Sequence, residues 1–156
     1  MLFVAGRLDR RLGGSEIRAG IRADYDYPHE SIRRSVYWPV FRNSLPPLYQ
    51  VFDFADTSVS VGQRNESTVA TQALGMLNHP WVIARAGEVA DRMDAIRQEH
   101  ADFDATRWVY RTCLGRHPTP DERARCDAFL ASDPSPDAYR TLVHAVFASI
   151  DFRYLD

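Results

Sequence analysis

Eight polar residues between positions 42 and 72 are the strongest candidates for chemistry in this chain. Two of them are carboxylates three positions apart, Asp53 and Asp56, and on a helix such a pair shares one face. Neighbouring carboxylates serve general acid–base catalysis or bind a cation such as calcium. The other six donate or accept hydrogen bonds and include two cationic groups. They are Arg42, Asn43, Arg64, Asn65, Thr68 and Gln72.

Three interpretations of this polar set remain open. In the first, Arg42 and Arg64 neutralise the two aspartates, and the ion pairs hold a strand, a helix and a loop together. In the second, the set is an oxyanion or sugar site: the arginines bind a sulfate, phosphate or carboxylate group, because the guanidinium fork matches such anions, or the polar groups bind a sugar. In the third, Asp53 and Asp56 form a metal-binding or catalytic pair. The first is favoured, because two acids at this spacing are common on helices.

Aromatic side chains are concentrated in the same stretch, where they could form a platform for sugar rings or part of the core. At this spacing a core role is favoured. The residues are Tyr37, Trp38, Phe41, Tyr49, Phe52 and Phe54.

No further catalytic or cofactor motif is evident. The five histidines are scattered without the spacing of zinc ligands, and no nucleophile–histidine arrangement is indicated. Cys113 and Cys126 fall on the two arms of a predicted helical hairpin, where packing as free thiols is favoured over a disulfide. We expect no metal and no cofactor in this chain.

The composition is that of an ordinary globular domain. The chain has 156 residues, of which 45% are hydrophobic and 26% charged. All 19 basic residues are arginine, but acids are equally spread, so no basic stripe for nucleic acid is present. No apolar run approaches the roughly 20 residues that cross a bilayer. We therefore expect neither nucleic acid nor a membrane span.

The elements that must position the polar set are of mixed character. Residues 1–12 resemble the end of a helix that stops at Gly13, and residues 13–33 are irregular. The alternation from Ser35 to Phe41 predicts an edge strand, because Pro39 lacks a ladder donor. A short helix is predicted over about residues 46–55, followed by a loop over 56–66.

The remaining chain predicts a series of helices. Ser67 or Thr68 caps a helix to about Leu77, and apolar residues from Val82 to Ile96 form the seam of a longer one. Further helices are predicted over about 105–114, 119–131 and from Ser135 to Ile150. The fold class is mainly α: an antiparallel helical bundle with one or two short extended or edge-strand segments. Residues 34–156 are predicted to form one helical domain, with residues 34–78 and 79–156 as its two regions.

Long motifs of the chain resemble a known family. Residues 34–56 read RSVYWPVFRNSLPPLYQVFDFAD and residues 60–78 read SVGQRNESTVATQALGMLN. The segments YRTCLGRHPTPDE at 110–122 and FASIDFRYLD at 147–156 complete the pattern, with GRLDRRLGG at 6–14 before it. Together they resemble the C-terminal part of the planctomycete-type domain of unknown function 1553 (PSD1) family.

The resemblance implies a setting rather than a reaction. Relatives carry an export signal, an upstream cytochrome-c-like domain that would hold haem, and a further uncharacterised domain, so the resemblance implies a fragment of a periplasmic or secreted protein. The chain shows two departures: Gln63 stands where the family often has arginine, and Ala70-Thr71 replaces a usual proline. We expect a non-catalytic structural or ligand-binding module, docked to upstream domains and binding anionic or sulfated polysaccharide. The alternative is part of a hydrolase-like enzyme that uses Asp53 and Asp56.

Overall fold

Seven α-helices make up most of the secondary structure in the described part of the chain. A computed structural model describes residues 1–17, 20, 27, 30–42, 44–55, 57–60, 62, 69–133 and 135–154. The helices are α1 (Pro47–Val51), α2 (Val69–Asn78), α3 (Pro80–Glu99), α4 (Ala105–Leu114), α5 (Pro120–Ser132), α6 (Pro136–Ala148) and α7 (Ile150–Arg153). The prediction of a mainly α fold is confirmed.

The chain divides into two compact units. The helical unit consists of Met1–Gly6 and Met76–Asp156. The aromatic unit consists of Arg7–Gly75. None of the described helices is long and apolar enough to span a membrane.

The core of the helical unit lies between α3 and α6. Helix α6 packs mainly against α3 and also contacts α4, α5 and α7. The predicted seam residues of α3 from Val82 to Met93 are buried, and Leu142, Val143 and Phe147 of α6 are buried as well. Because each helix buries one apolar stripe, the hydrophobic effect holds the two together.

Local sequence signals set the boundaries of α4 and α5. The Asp104 carboxylate accepts a hydrogen bond from the Arg107 N–H at 2.9 Å and caps α4. Gly115 ends that helix in the left-handed conformation, with φ of 72°. Thr119 and Glu122 form a reciprocal capping box at the start of α5, as the sequence predicts.

Arg116 joins three parts of the helical unit. Its guanidinium donates to both carboxylate oxygens of Glu122, at 2.8 and 2.7 Å, and it also pairs with Asp151 of α7. The same group lies 5.3 Å from the Tyr110 ring centroid. The hydrogen bonds from Arg116, with smaller contributions from Thr119 and from the Arg116 charge, lower the pKa of Glu122 to about 2. The capping box is therefore tied to the last helix through one arginine.

A buried arginine organises the start of the aromatic unit. The Arg33 side chain is only 6% exposed and donates to Glu16 at 2.7 Å and to the Arg11 carbonyl at 3.0 Å. It also donates to the Gly13 carbonyl and lies 4.1 Å from the Tyr37 ring centroid. Both terminal guanidinium nitrogens of Arg33 therefore have partners, and a buried charge needs such compensation. These contacts fix the irregular segment 11–16 against residues 33–37.

Several boundary predictions are wrong. Residues 2–6 form turns instead of a helix end, and Gly6 adopts a positive φ of 72°. Ser35–Tyr37 form a 3-10 turn rather than an edge strand, and Phe41 makes only an isolated bridge to Ser44. Ile150 begins the separate helix α7 and is 57% exposed, so it does not extend the stripe of α6.

The helix predicted over residues 46–55 is shorter than expected. It ends at Val51, where Phe52 leaves the helical conformation and Asp53 adopts a positive φ of 47°. Aspartate tolerates this left-handed region better than most residues, so it can end a helix without glycine.

Candidate ligand-binding pocket

Helix α1 and the extended segment before it bring aromatic residues together in the aromatic unit. Pro46 and Pro47 begin the helix, where a missing N–H costs nothing, and Pro46 is buried. Helix α2 approaches α1 at Gly75, where an added Cβ would lie 2.5 Å from Val51 Cγ1. The absence of a side chain at Gly75 thus allows the close packing that supports α1.

Three of these aromatic rings form a stack. The Trp38 and Tyr49 ring centroids lie 5.9 Å apart with an interplanar angle of 23°. Tyr49 and Phe54 follow at 5.0 Å and 16°. Exposure increases along the stack, from 8% for Trp38 to 40% for Phe54. The stack therefore runs from the buried indole of Trp38 to the solvent-exposed ring of Phe54.

A hydrogen bond fixes the middle ring of the stack. The Tyr49 hydroxyl donates to the Ser35 carbonyl at 2.7 Å and so joins α1 to the 3-10 turn. Burial raises the pKa of Tyr49, although the contact with Ser35 acts in the opposite direction. The phenol consequently stays protonated and donates at neutral pH.

The stack lines an open pocket of about 450 Å³. Its described lining is mainly aromatic and aliphatic, with hydroxyl groups on Ser35 and Tyr49 only: Ser35, Val36, Trp38, Val40, Tyr49, Phe52 and Phe54. A mainly apolar lining with a few fixed polar groups is typical of small-ligand sites, and the volume lies in their usual range. Among these lining residues there is no carboxylate, imidazole or guanidinium.

Only part of the predicted polar set lies in the described residues. Asn43, Asp56, Arg64, Asn65 and Thr68 lie outside them. Of the other three, Arg42 is exposed: its Nε donates to Ser58 Oγ at 3.5 Å, and its carbonyl accepts from Thr57 Oγ1 at 3.4 Å. Asp53 and Gln72 are half-buried, the latter on α2.

The helix predicted around Asp53 does not reach that residue. Helix α1 ends at Val51, and Asp56 lies outside the described residues, so the proposed aspartate pair stays a prediction. The Arg42 contacts described above join residue 42 to the loop at 57–58. That the eight polar residues form one site remains a prediction.

The six predicted aromatics divide into two groups. Trp38, Tyr49, Phe52 and Phe54 line the pocket. Tyr37 instead lies between arginines: its hydroxyl accepts from the Gly13 N–H at 3.3 Å and from Arg34 at 3.2 Å. These two contacts, the Gly13 bond first, lower the pKa of Tyr37. Phe41 contacts Tyr27, with ring centroids 5.2 Å apart.

Two parts of the arrangement have no counterpart in the sequence-based predictions. Ser35, Val36 and Val40 line the pocket although their side chains carry no distinctive motif. A second pocket lies in the helical unit beside Trp108. One feature of the sequence could have indicated this pocket. Arg107 and Arg111 are four positions apart and share a face of the predicted helix around that tryptophan.

Potential metal ligands and thiols also lie in the described residues. Within them, no three histidine, cysteine, aspartate or glutamate side chains are grouped so as to hold a metal ion. Cys113 and Cys126 are both free thiols, and Cys126 Sγ lies 3.9 Å from the Tyr110 hydroxyl.

Fold and pocket together define a mainly helical protein with an open pocket lined by aromatic residues. The model of one family, PSD1: Protein of unknown function (DUF1553), matches residues 1–130. The chain therefore belongs to this family, as its motifs indicate. No curated protein and no solved structure is significantly similar to it. The match includes every described residue that lines the aromatic pocket.

Proposed function

We propose that this chain is a non-catalytic ligand-binding module and that its aromatic pocket binds saccharide rings. The observation that carries the proposal is the stack of Trp38, Tyr49 and Phe54 along an open pocket. Sugar rings present C–H faces that pack on aromatic faces, and rigid aromatic side chains lose little conformational entropy on binding. Phe54, the most exposed ring of the three, offers the first contact.

The polar groups at the pocket suit positioning rather than bond cleavage. Ser35 contributes a hydroxyl to the lining, and the Tyr49 hydroxyl already donates to a carbonyl. General acid–base cleavage of a glycosidic bond needs two carboxyl groups on opposite sides of the sugar. The described lining supplies neither, which favours binding over catalysis.

An acidic or sulfated saccharide is the ligand class that we propose. Arg34 and Arg42 flank the pocket-forming segment in sequence, and both are exposed. Guanidinium groups bind sulfate and carboxylate through two parallel hydrogen bonds. Such ligands also agree with the exported setting that the family resemblance implies, and an exported location is part of this proposal.

The alternative, a hydrolase that uses Asp53 and Asp56, has less support. Helix α1 ends before Asp53, and no carboxylate is among the described lining residues of the aromatic pocket. Docking of further domains beside the chain stays compatible with either function.

Titration calorimetry with three oligosaccharides of equal length tests the proposal: a sulfated galactan, a uronic acid oligomer and a neutral glucan. We expect the two acidic ligands to bind and Phe54→Ala to weaken binding by about 1 kcal/mol, roughly five-fold in Kd. Tyr154→Ala is the matched control, because it removes another exposed aromatic ring from the far end of the chain. The proposal fails if no saccharide binds, or if both variants weaken binding equally.

A further inference from the structure

A second pocket, of about 500 Å³, lies in the helical unit where α3 ends and α4 begins. Its residues come from the last position before the turn (His100), from the turn itself (Asp102, Phe103, Asp104) and from α4. The α4 residues that matter most are Arg107, Trp108 and Arg111. This pocket has a different chemical character from the aromatic pocket, because it contains guanidinium groups.

Aromatic contacts fix two lining residues of this second pocket, Phe103 and Trp108. The Phe103 and Trp108 ring centroids are 6.2 Å apart with an interplanar angle of 54°. The Arg92 guanidinium lies 5.6 Å from the Trp108 ring and donates to the Val4 carbonyl at 2.9 Å. Trp108 is half-buried, so part of its ring remains available to a ligand.

Two arginines of the pocket form no ion pair with a carboxylate of the described residues. Arg107 and Arg111 are four positions apart on α4 and therefore lie on one face. Both are exposed, and neither lies within 4.0 Å of a carboxylate among the described residues. Five other arginines of the helical unit do form ion pairs: Arg85, Arg97, Arg116, Arg123 and Arg140.

The acids of the pocket do not cancel this positive charge. The Asp104 carboxylate pairs with Arg123 at 2.7 Å and accepts from the Arg107 backbone N–H. Burial acts to raise its pKa, but these two hydrogen bonds and the positive charges of Arg123 and Arg107 together outweigh burial, so the pKa of Asp104 is lowered. Asp102 lies exposed on the turn. Because Asp104 pairs with Arg123, Asp102 is the one remaining carboxylate in the described lining, where it faces the two positive charges of Arg107 and Arg111.

We propose that this second pocket binds a small sugar carrying a sulfate or phosphate ester. Arg107 and Arg111 bind the ester oxygens, and the sugar ring packs against Trp108. The half-buried Thr112 lines the same pocket and offers a hydroxyl to the ligand. The volume lies within the range of small-molecule sites. This proposal does not depend on the aromatic pocket, since the two pockets lie in different units.

Titration of the intact chain with glucose 6-sulfate and glucose 6-phosphate tests this proposal, with heat of binding as the readout. We expect at least one ester to bind, and Arg111→Ala to raise its Kd at least ten-fold. Arg111→Lys keeps the charge but loses the fork, so its Kd should fall in between. Arg125→Ala is the control, because Arg125 is an exposed arginine on α5 outside the pocket.

Further ligands and one further variant separate the contributions of ring and anion. Glucose should not bind, inorganic sulfate and phosphate should bind at least ten-fold more weakly than the esters, and Trp108→Leu should remove that advantage. Equal affinity for the free anion and the ester overturns the proposal, because the ring then adds nothing. Equal loss in Arg111→Ala and Arg125→Ala also overturns it, since that result indicates nonspecific charge attraction. Circular dichroism at the titration temperature verifies that each variant is folded.

Discussion

Replacement of Gly75 by alanine tests the contact between α1 and α2 that supports the aromatic pocket. An added Cβ would lie 2.5 Å from Val51 Cγ1, 3.2 Å from Cγ2 and 3.4 Å from Cβ. The first distance is too short for any carbon–carbon contact, so Val51 or the helix must shift. Overpacking of this kind costs about 2 kcal/mol. Alanine also favours a helix interior over glycine by about 1 kcal/mol.

The two effects predict a change of sign between backgrounds. In the natural chain, Gly75→Ala should lower the free energy of unfolding by about 1 kcal/mol, the difference between overpacking and helix propensity. In a Val51→Ala background the methyl groups are gone, so the same substitution should raise it by about 1 kcal/mol. The coupling energy between the two positions is then about 2 kcal/mol.

Urea denaturation of the four proteins in this cycle measures the coupling. Trp38 fluorescence reports on the aromatic unit once Trp81 and Trp108 are replaced by phenylalanine in all four. If Gly75→Ala stabilises the chain equally in both backgrounds, Val51 does not contact α2 at this position. The packing argument for the pocket would then be refuted.

Two further predictions concern the helical unit. The folded-state pKa of Glu122, about 2, lies below its ordinary value of 4.5, so its pairing with Arg116 stabilises the fold above about pH 4.5 and this contribution disappears as the pH falls towards 2. Glu122→Gln should therefore flatten the acid limb of stability against pH and cost about 1 kcal/mol at pH 7 after solvent screening; an unchanged acid limb would contradict it. Burial raises the pKa of Cys113 to about 12, so its thiol should react slowly with iodoacetamide at pH 8 and rapidly in urea, as measured by mass spectrometry of digests. Equal rates under both conditions, or a disulfide between Cys113 and Cys126, would refute this.

Local signals made the helical unit predictable. The capping box of Thr119 and Glu122 and the glycine after α4 act within one turn, so the sequence specifies α4 and α5 closely. Prolines at the first helical positions did the same for α3 and α6. Burial from Val82 to Met93 followed from periodicity alone.

The aromatic unit was less predictable because distant contacts decide its conformation. The alternation from Ser35 to Phe41 is typical of a strand, yet Arg33 binds carbonyls more than fifteen positions away and Tyr37 packs on that guanidinium. No local sequence pattern predicts these contacts, because the partners are distant in the sequence. The end of α1 before Asp53 was equally hidden, because no glycine or proline marks it.

The candidate sites show the same division. The aromatic content of the pocket could be predicted, since Trp38, Tyr49 and Phe54 are conspicuous in the sequence. Their stacking could not, because it depends on how α1 docks against the 3-10 turn. The pocket beside Trp108 was missed since its residues combine a turn with one face of α4.

The most direct test of ligand binding in the aromatic pocket is a nuclear magnetic resonance titration of the three tryptophan indole N–H signals. The chain contains only Trp38, Trp81 and Trp108, and substitution of each by phenylalanine assigns its signal. We predict that an acidic oligosaccharide shifts the Trp38 signal in a saturable manner and that Phe54→Ala weakens this response. A Trp38 signal that stays in place up to millimolar saccharide would contradict the account.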